Sequence, residues 1–221
     1  MIHLVRHGET PWSSKGVYSG RRELALTERG REQAAQAGER LRAAGVDAVH
    51  TSPLGRARAT AAAIAAASGA ALRVEQRLTE IDYGPLEGLD RAAASARHGA
   101  AYERWRARPF EDHLQGMEPL SEALARVAAA IAAALADARS PVLVGHQGSL
   151  RLALIALGRI APGDYFSTRI AEAEPLAIEV VARTLPSGRR EPGLWRGKVT
   201  IHDDFDQLPE EIARAFRGLA P

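Results

Sequence analysis

Short apolar runs that alternate with helix-like segments constrain the fold of this chain more than any other feature of its sequence. The runs lie at residues 2–6, 46–51, 72–75 and 142–145, and each has the length of a strand buried within a sheet. The segments between them are long enough to hold helical crossovers, which parallel strands require. The alternation therefore predicts an α/β fold, a three-layer α/β/α sandwich with a mostly parallel central sheet.

Helix start and stop residues support the same layout. Thr27 is suited to cap a helix that runs to about residue 44, where Gly45 ends it. An alanine-rich helix is predicted at 54–68 and a shorter one at 149–157. One long amphipathic helix is predicted from an apolar stripe at near-helical spacing, formed by Leu120, Leu124, Val127, Ile131 and Leu135.

The rest of the chain is less regular. Residues 84–117 interrupt the alternation, and we expect them to form a helical excursion over the C-terminal ends of the strands that shapes substrate choice. Further strands are predicted near 176–181 and 198–202, and a terminal helix from about residue 209. With 221 residues and a globular composition, the whole chain is predicted to form a single domain over 1–221.

Composition excludes several classes of function. The chain has no cysteine, which removes disulfides, thiolate metal sites and the cysteine nucleophile of one large class of phosphatases. The net charge is only +2 and no basic run is interleaved with aromatic residues, so no nucleic-acid partner is expected. Neither the N-terminus nor the longest apolar run, Val127–Ala136, resembles a signal or a membrane span, so we expect a cytoplasmic protein without a membrane partner.

Polar residues stand just past four of the predicted strands, where open α/β sheets bind their ligands. Guanidinium groups grip phosphate oxygens, a neutral imidazole attacks phosphorus, and a carboxylic acid protonates a departing alkoxide. Each residue alone has an ordinary structural explanation, but together they suit phosphoryl transfer. The candidates are Arg6, His7, Arg56, Arg58, Glu80 and His146.

These residues lie in segments that resemble the motifs of the histidine phosphatase superfamily, the phosphoglycerate mutase-like fold. The opening motif is Leu4-Val-Arg-His-Gly-Glu-Thr10 with Trp12. Four later blocks follow in the family's order, within about residues 2–155: Leu26–Gly30, Thr51–Thr60, Glu80–Gly88 and Val144–Gly148. The set is specific, although Arg-His-Gly alone would be weak.

The resemblance implies a role for each matching residue. His7 takes the phosphoryl group, Arg6, Arg56 and His146 form the phosphate pocket, and Glu80 stands where the family keeps its proton donor. The implied enzyme is a phosphomonoester hydrolase that works through phosphohistidine, with no cofactor and no metal. Its partner is a small phosphorylated metabolite.

Some positions depart from the family pattern. Ser13 follows Trp12 where many relatives have a phosphate-contacting asparagine, so that contact is shortened, replaced or lost. Ser19 and Gly20 resemble a substrate-side loop, and Gln147 replaces a small residue after the second histidine. We therefore place Ser13, Ser19, Gly20 and Gln147 among the substrate-binding candidates.

Three other functions remain open. A phosphoglycerate mutase-type isomerase would use the same pocket, although Glu87-Gly88 after Pro85-Leu86 is more typical of the phosphatases. A non-catalytic phosphoester-binding protein would be expected to lack the nucleophile or the acid. A metallohydrolase would draw ligands from His3, His7, His50, His146 and Asp203–Asp206, but no paired ligand spacing occurs.

The sequence leaves the substrate unidentified. Arginines of the excursion, interspersed with Tyr102 and Trp105, are able to bind a polyanionic or aromatic leaving group, but covering an exposed helix is the simpler explanation for them. They are Arg97, Arg104, Arg106 and Arg108. The oligomeric state is also open, a homodimer included.

Overall fold

A computed structural model describes residues 1–180 of the protein as a five-stranded sheet with helices on both faces. The strands are β1 (Ile2–Arg6), β2 (Ala48–Thr51), β3 (Ala71–Val74), β4 (Pro141–Gly145) and β5 (Leu176–Ile178). Their order across the sheet is β3-β2-β4-β1-β5. The first four are parallel and β5 joins β1 in the antiparallel direction, so the predicted mostly parallel sheet is confirmed.

The helices begin and end close to the predicted positions. They are α1 (Glu28–Leu41), α2 (Gly55–Ser68), α3 (Arg91–Ala107), α4 (Leu120–Asp137) and α5 (Gln147–Ala156). Thr27 caps α1 as expected, because its hydroxyl accepts a hydrogen bond from the backbone N–H of Gly30 at 3.0 Å. The largest difference is at the end of α1, which stops at Leu41 and not near residue 44, and α5 begins directly after His146 and not at Ser149.

The strands alternate their side chains between two apolar layers, which is why the fold has three layers. In β1, Leu4 packs into the layer that contains α4 and α5, whereas Val5 packs into the layer that contains α1 and α2. In β4, Leu143 and Val144 divide between the two layers in the same way. The α/β/α sandwich is therefore built from strands that are buried on both faces.

The excursion after β3 contains α3, whose aromatic residues pack into the core. Tyr102 and Trp105 are almost completely buried in the layer that contains α4. The apolar stripe of α4 behaves as predicted, with Val127 and Ile131 buried in the same layer. The aromatic residues of the excursion therefore support the core and do not face a ligand.

The C-terminal predictions lie outside the described residues. These are the strand near 198–202, the helix from about residue 209 and the acidic segment Asp203–Asp206. The single domain over 1–221 stays a prediction for the same reason. Among residues 1–180, none of the helices combines the length and apolar character needed to cross a bilayer.

Candidate active site

His7 lies at the point where β1 ends, in a loop pressed against the start of α1. A Cβ atom on Gly8 would lie 2.2 Å from the carbonyl oxygen of Gly30, so only glycine permits this approach. The His7 backbone N–H also donates to the Gly145 carbonyl at the end of β4, at 3.0 Å. These contacts fix the imidazole at the carboxyl edge of the sheet, where ligands of open α/β folds bind.

The surroundings of the His7 imidazole fix its tautomer. The residue is only 4% exposed, and Nδ1 lies 2.7 Å from the carbonyl oxygen of Gly8. Because a carbonyl can only accept, Nδ1 carries the hydrogen and Nε2 keeps its lone pair. Burial, followed by the charges of Arg6 and Arg56, lowers the pKa of His7 well below its ordinary value of 6.5. The ring is therefore neutral at neutral pH.

Two arginines flank this imidazole, and backbone carbonyls aim both of them. Arg56, on the first turn of α2, donates from its two terminal nitrogens to the carbonyls of Arg22 and Gly20 at 2.6 and 2.8 Å. Arg6 donates to the Ile170 carbonyl at 3.1 Å and pairs with Glu172 at 3.2 Å. The Nε of each guanidinium is buried without a partner among residues 1–180, which leaves a donor on each for an anion.

His146 lies beside His7, with the ring centroids 5.1 Å apart. Its Nε2 is 2.7 Å from the hydroxyl of Ser52, which itself accepts from the Leu54 N–H at 3.3 Å. Nδ1 carries the ring hydrogen in the tautomer in which the Ser52 hydroxyl donates to Nε2. That Nδ1 is buried next to His7 and has no partner within the described residues.

Glu80 closes another side of the site from the segment that follows β3. Its carboxylate accepts from the backbone N–H groups of Ile81, Gly148 and Ser149 at 2.9, 3.0 and 2.9 Å. The last two N–H groups lie at the N-terminus of α5, where helix amides have no partner inside the helix. A Cβ on Gly148 would lie 2.6 Å from the carboxylate, so glycine is needed there.

Three of the four substrate-binding candidates line the cavity, whereas Gly20 does not. Ser13 and Ser19 line the cavity, although the Ser13 hydroxyl already bonds the backbone of Thr10, accepting from its N–H at 2.9 Å and donating to its carbonyl at 3.2 Å. Gly20 acts through its carbonyl, which holds Arg56. Gln147 lines the cavity and links Arg6 to the Thr168 carbonyl, accepting at 3.1 Å and donating at 3.2 Å.

The site contains a cavity of about 600 Å³. His7, Arg6, Arg56 and Glu80 line it, whereas Arg58 and the fully buried His146 do not. Sequence reasoning missed several residues of the site. The sequence could have indicated Arg151, because it follows Gln147 by one helical turn and so lies on the same face of α5. No local pattern in the sequence indicates the other missed residues, which are Ser52, Tyr83, Arg91, Phe166 and Arg169.

Ligands for a metal do not gather here. Within residues 1–180, no group of three or more histidine, aspartate and glutamate side chains is placed to hold an ion. His3 and His50, two histidines considered as ligands, do not line the cavity.

The chain is similar in sequence and in structure to several known proteins. A 2,3-bisphosphoglycerate-dependent phosphoglycerate mutase from Azorhizobium caulinodans is 31% identical over 201 residues, which cover 86% of this chain and 97% of the relative. The structure is similar to that of alpha-ribazole phosphatase from Shigella flexneri, with a TM-score of 0.72, 26% identity and 82% and 91% of the two chains covered. It is also similar to a mycobacterial glucosyl-3-phosphoglycerate phosphatase, with a TM-score of 0.70, 27% identity and 79% and 90% coverage.

A family model matches most of this chain. The model of the histidine phosphatase superfamily, branch 1, matches residues 2–184, which include every motif from Leu4–Thr10 to Val144–Gly148. Both structural neighbours are named as phosphatases, and the relative from Azorhizobium is named as a mutase. The protein belongs to the histidine phosphatase superfamily, branch 1.

Proposed function

We propose that this protein is a metal-independent phosphomonoester hydrolase that transfers the phosphoryl group of a small metabolite to His7 and then to water. The observation that carries the proposal is the state of His7: buried, neutral, held at Nδ1 by the Gly8 carbonyl, and flanked by two arginines. A neutral imidazole fixed in one tautomer is a ready nucleophile, and the guanidinium groups balance the charge of a phosphate.

In the first step, Nε2 of His7 attacks phosphorus in line with the ester oxygen. The N–P bond forms, the P–O bond to the leaving group breaks, and Glu80 gives its proton to the leaving alkoxide. Arg6, Arg56 and the Nδ1 hydrogen of His146 stabilise the equatorial oxygens of the transition state. The products of this step are the alcohol, phosphohistidine and ionised Glu80.

In the second step, water attacks the phosphorus of phosphohistidine. The Glu80 carboxylate takes one proton from that water, the P–N bond breaks, and inorganic phosphate leaves. His7 returns to its neutral form and Glu80 is again protonated, so that protons and charge balance over the cycle. Hydrolysis of the ester is then the complete reaction.

The experiment is phosphate release from a panel of phosphomonoesters in the presence of a chelator. We expect turnover by the parent and a loss of roughly three or more orders of magnitude in His7→Ala, the scale on which a covalent nucleophile acts. His113→Ala removes an exposed histidine of the excursion and serves as the matched control. Equal rates in the parent and His7→Ala, or activity that stops on chelation, would reject the proposal.

Glu80→Gln separates the proposed proton donor from a residue that only shapes the pocket. We expect release from alkyl phosphates to slow by roughly 10²-fold or more, and release from nitrophenyl phosphate to slow far less, because nitrophenolate leaves without a proton. A similar loss for both substrates would show that Glu80 does not protonate the leaving group.

A mutase-type isomerase is the second candidate, because the relative from Azorhizobium is named as a mutase. That reaction would return the phosphoryl group from His7 to a substrate hydroxyl and not to water. Isotope exchange between positions of phosphoglycerate, measured beside free phosphate, separates the two. Exchange that outpaces release would favour the mutase. A non-catalytic binding protein, the third candidate, would bind phosphate without turning over any ester.

A further inference from the structure

The proposed proton donor, Glu80, lies in a segment that forms neither helix nor strand. Residues 79–83 connect two short 3-10 helices, Gln76–Leu78 and Gly84–Leu86. Backbone groups outside helices and sheets have no ladder of hydrogen bonds to place them, so other groups must bind them. The amides of α5 hold the Glu80 carboxylate, but those bonds end on the side chain and leave the backbone of the segment to be held by something else.

One arginine of α4 binds three carbonyl groups in and just before this segment. Arg126 donates from one terminal nitrogen to the carbonyls of Arg77 and Thr79, both at 2.7 Å. Its other terminal nitrogen donates to the Glu80 carbonyl at 3.4 Å, and its side chain is 19% exposed. Because a guanidinium is planar and rigid, its N–H groups fix these carbonyls relative to one another and to α4.

Glu118 fixes that guanidinium and also binds the chain on the other side of Glu80. Its two carboxylate oxygens accept from Nε and the second terminal nitrogen of Arg126 at 2.6 and 2.9 Å, which is a bidentate pair. The same carboxylate accepts from the Asp82 N–H at 3.2 Å, and the Glu118 N–H donates to the Asp82 carbonyl at 2.9 Å. The pair therefore holds the backbone both before and after Glu80.

Neither Arg126 nor Glu118 lines the cavity, so the pair can affect catalysis only through the residues that it holds. A proton donor must lie within hydrogen-bond reach of the oxygen that it protonates, so a small shift of its segment is enough to weaken proton transfer. We infer that Arg126, held by Glu118, is a positioning residue that keeps the Glu80 carboxylate aimed at the ester oxygen of the leaving group. The inference rests on the proposed function, because it takes Glu80 to be the proton donor.

The test measures how strongly the reaction depends on the leaving group. The probes are phenyl phosphates whose phenols differ in acidity, together with an alkyl phosphate, and the quantity is kcat/KM, which reports the steps up to release of the alcohol. Loss of proton donation slows esters of weakly acidic alcohols most, so log kcat/KM falls more steeply with the pKa of the leaving group. A residue with only a structural role lowers kcat/KM for every ester by the same factor.

Substitutions of Arg126 are expected to make this slope steeper. Arg126→Gln reduces kcat/KM for the alkyl phosphate by about tenfold or more and for nitrophenyl phosphate by about twofold or less, because only the alkoxide needs the proton. Arg126→Lys keeps a charge beside Glu118 but not the planar fork, so its slope lies between those of the parent and Arg126→Gln. If Arg126→Gln does not fold, Arg126→Lys replaces it in every comparison.

The matched control is Arg73→Gln. It removes another ion pair between an arginine and a carboxylate of α4, in which Arg73 Nε lies 2.8 Å from Asp137. Arg73 does not line the cavity and makes no ion pair with Glu118, so the control is expected to keep the parental slope. Thermal unfolding of each variant gives the folded fraction, and rates are compared per folded molecule.

A double variant tests whether Arg126 acts through Glu80. If Arg126 works by placing that carboxylate, the loss of kcat/KM for the alkyl phosphate that Arg126→Gln causes in the parent is expected to be absent in Glu80→Gln. Additive losses in the double variant overturn the inference. So do equal losses for both esters in Arg126→Gln, a parental slope in Arg126→Lys, or the same change of slope in Arg73→Gln.

Failure of the proposed function has a different signature. In that case the slope of Glu80→Gln itself stays parental, or phosphate release does not depend on His7, and the inference falls with the function. A steeper slope in Glu80→Gln beside a parental slope in both Arg126 variants would keep the function and remove the role of Arg126.

Discussion

At the scale of single residues, the surroundings of the two imidazoles set their protonation state. Burial and then the charge of Arg56 lower the pKa of His146 well below its usual 6.5, and His7 is affected in the same way by burial, Arg6 and Arg56. Both rings are therefore neutral at neutral pH.

The lowered pKa values of the two histidines predict how the stability of the protein depends on pH. Because the folded pKa is lowered, the folded protein binds fewer protons than the unfolded chain, so stability from these rings is complete above pH 6.5 and is lost as pH falls below that value. Nuclear magnetic resonance titration of the imidazole Cε1–H signals, assigned with His7→Gln and His146→Gln, is expected to give midpoints below 6.5 for both. A midpoint at or above 6.5 for His7 would contradict a neutral nucleophile.

At the scale of elements, the orientation of the Arg56 side chain depends on the loop that contains Gly20 and Arg22. The carbonyls of Gly20 and Arg22 hold this guanidinium, and Glu87 holds the loop by accepting from the Arg21 backbone N–H at 2.8 Å. Glu87 comes from the turn after the short 3-10 helix Gly84–Leu86, at the start of the excursion. We therefore predict that Glu87 positions Arg56 indirectly, although Glu87 does not line the cavity.

Glu87→Ala tests this connection between elements. We expect the Kd for vanadate, which mimics the transition state, to rise by about tenfold, because an unanchored loop leaves Arg56 misaligned. Glu87→Gln keeps an acceptor oxygen for Arg21 and is expected to recover part of the affinity, and Glu111→Ala on an exposed turn is the control. An unchanged vanadate Kd in Glu87→Ala would show that Arg56 is held without the loop.

The elements themselves were predictable because their signals are local. The apolar runs of β1, β2 and β4, the Thr27 cap and the stripe of α4 each lie within one segment, and each is found where it was predicted. The predicted start of α5, Ser149, is two residues later than the observed start, Gln147. The Ser149 hydroxyl instead accepts from the His146 backbone N–H at 3.1 Å, one turn inside the helix.

Contacts between distant segments could not be predicted in this way. Nothing local indicates that Ser52 meets His146, that Glu80 rests on the amides of α5, or that Arg169 reaches the cavity wall. The family resemblance predicted by position that His7, Arg6, Arg56, Glu80 and His146 belong to one site, but the catalytic roles of these residues stay predictions until they are measured.

At the scale of the whole molecule, the sheet gathers the site from segments far apart in the chain. His7 follows β1, Arg56 begins α2 after β2, and His146 follows β4. Parallel strands place all three at one edge, and the order β3-β2-β4-β1 brings β1 and β4 together in the centre of the sheet. This is why the two imidazoles meet, although they are 139 positions apart in sequence.

The most direct test of the account is rapid quenching of the enzyme during turnover, followed by peptide mass spectrometry under alkaline conditions, which preserve phosphohistidine. The account predicts an acid-labile adduct of one phosphoryl group on His7, formed in the parent and in Glu80→Gln but not in His7→Ala. Turnover without any adduct on His7, or with the adduct on another residue, would contradict it.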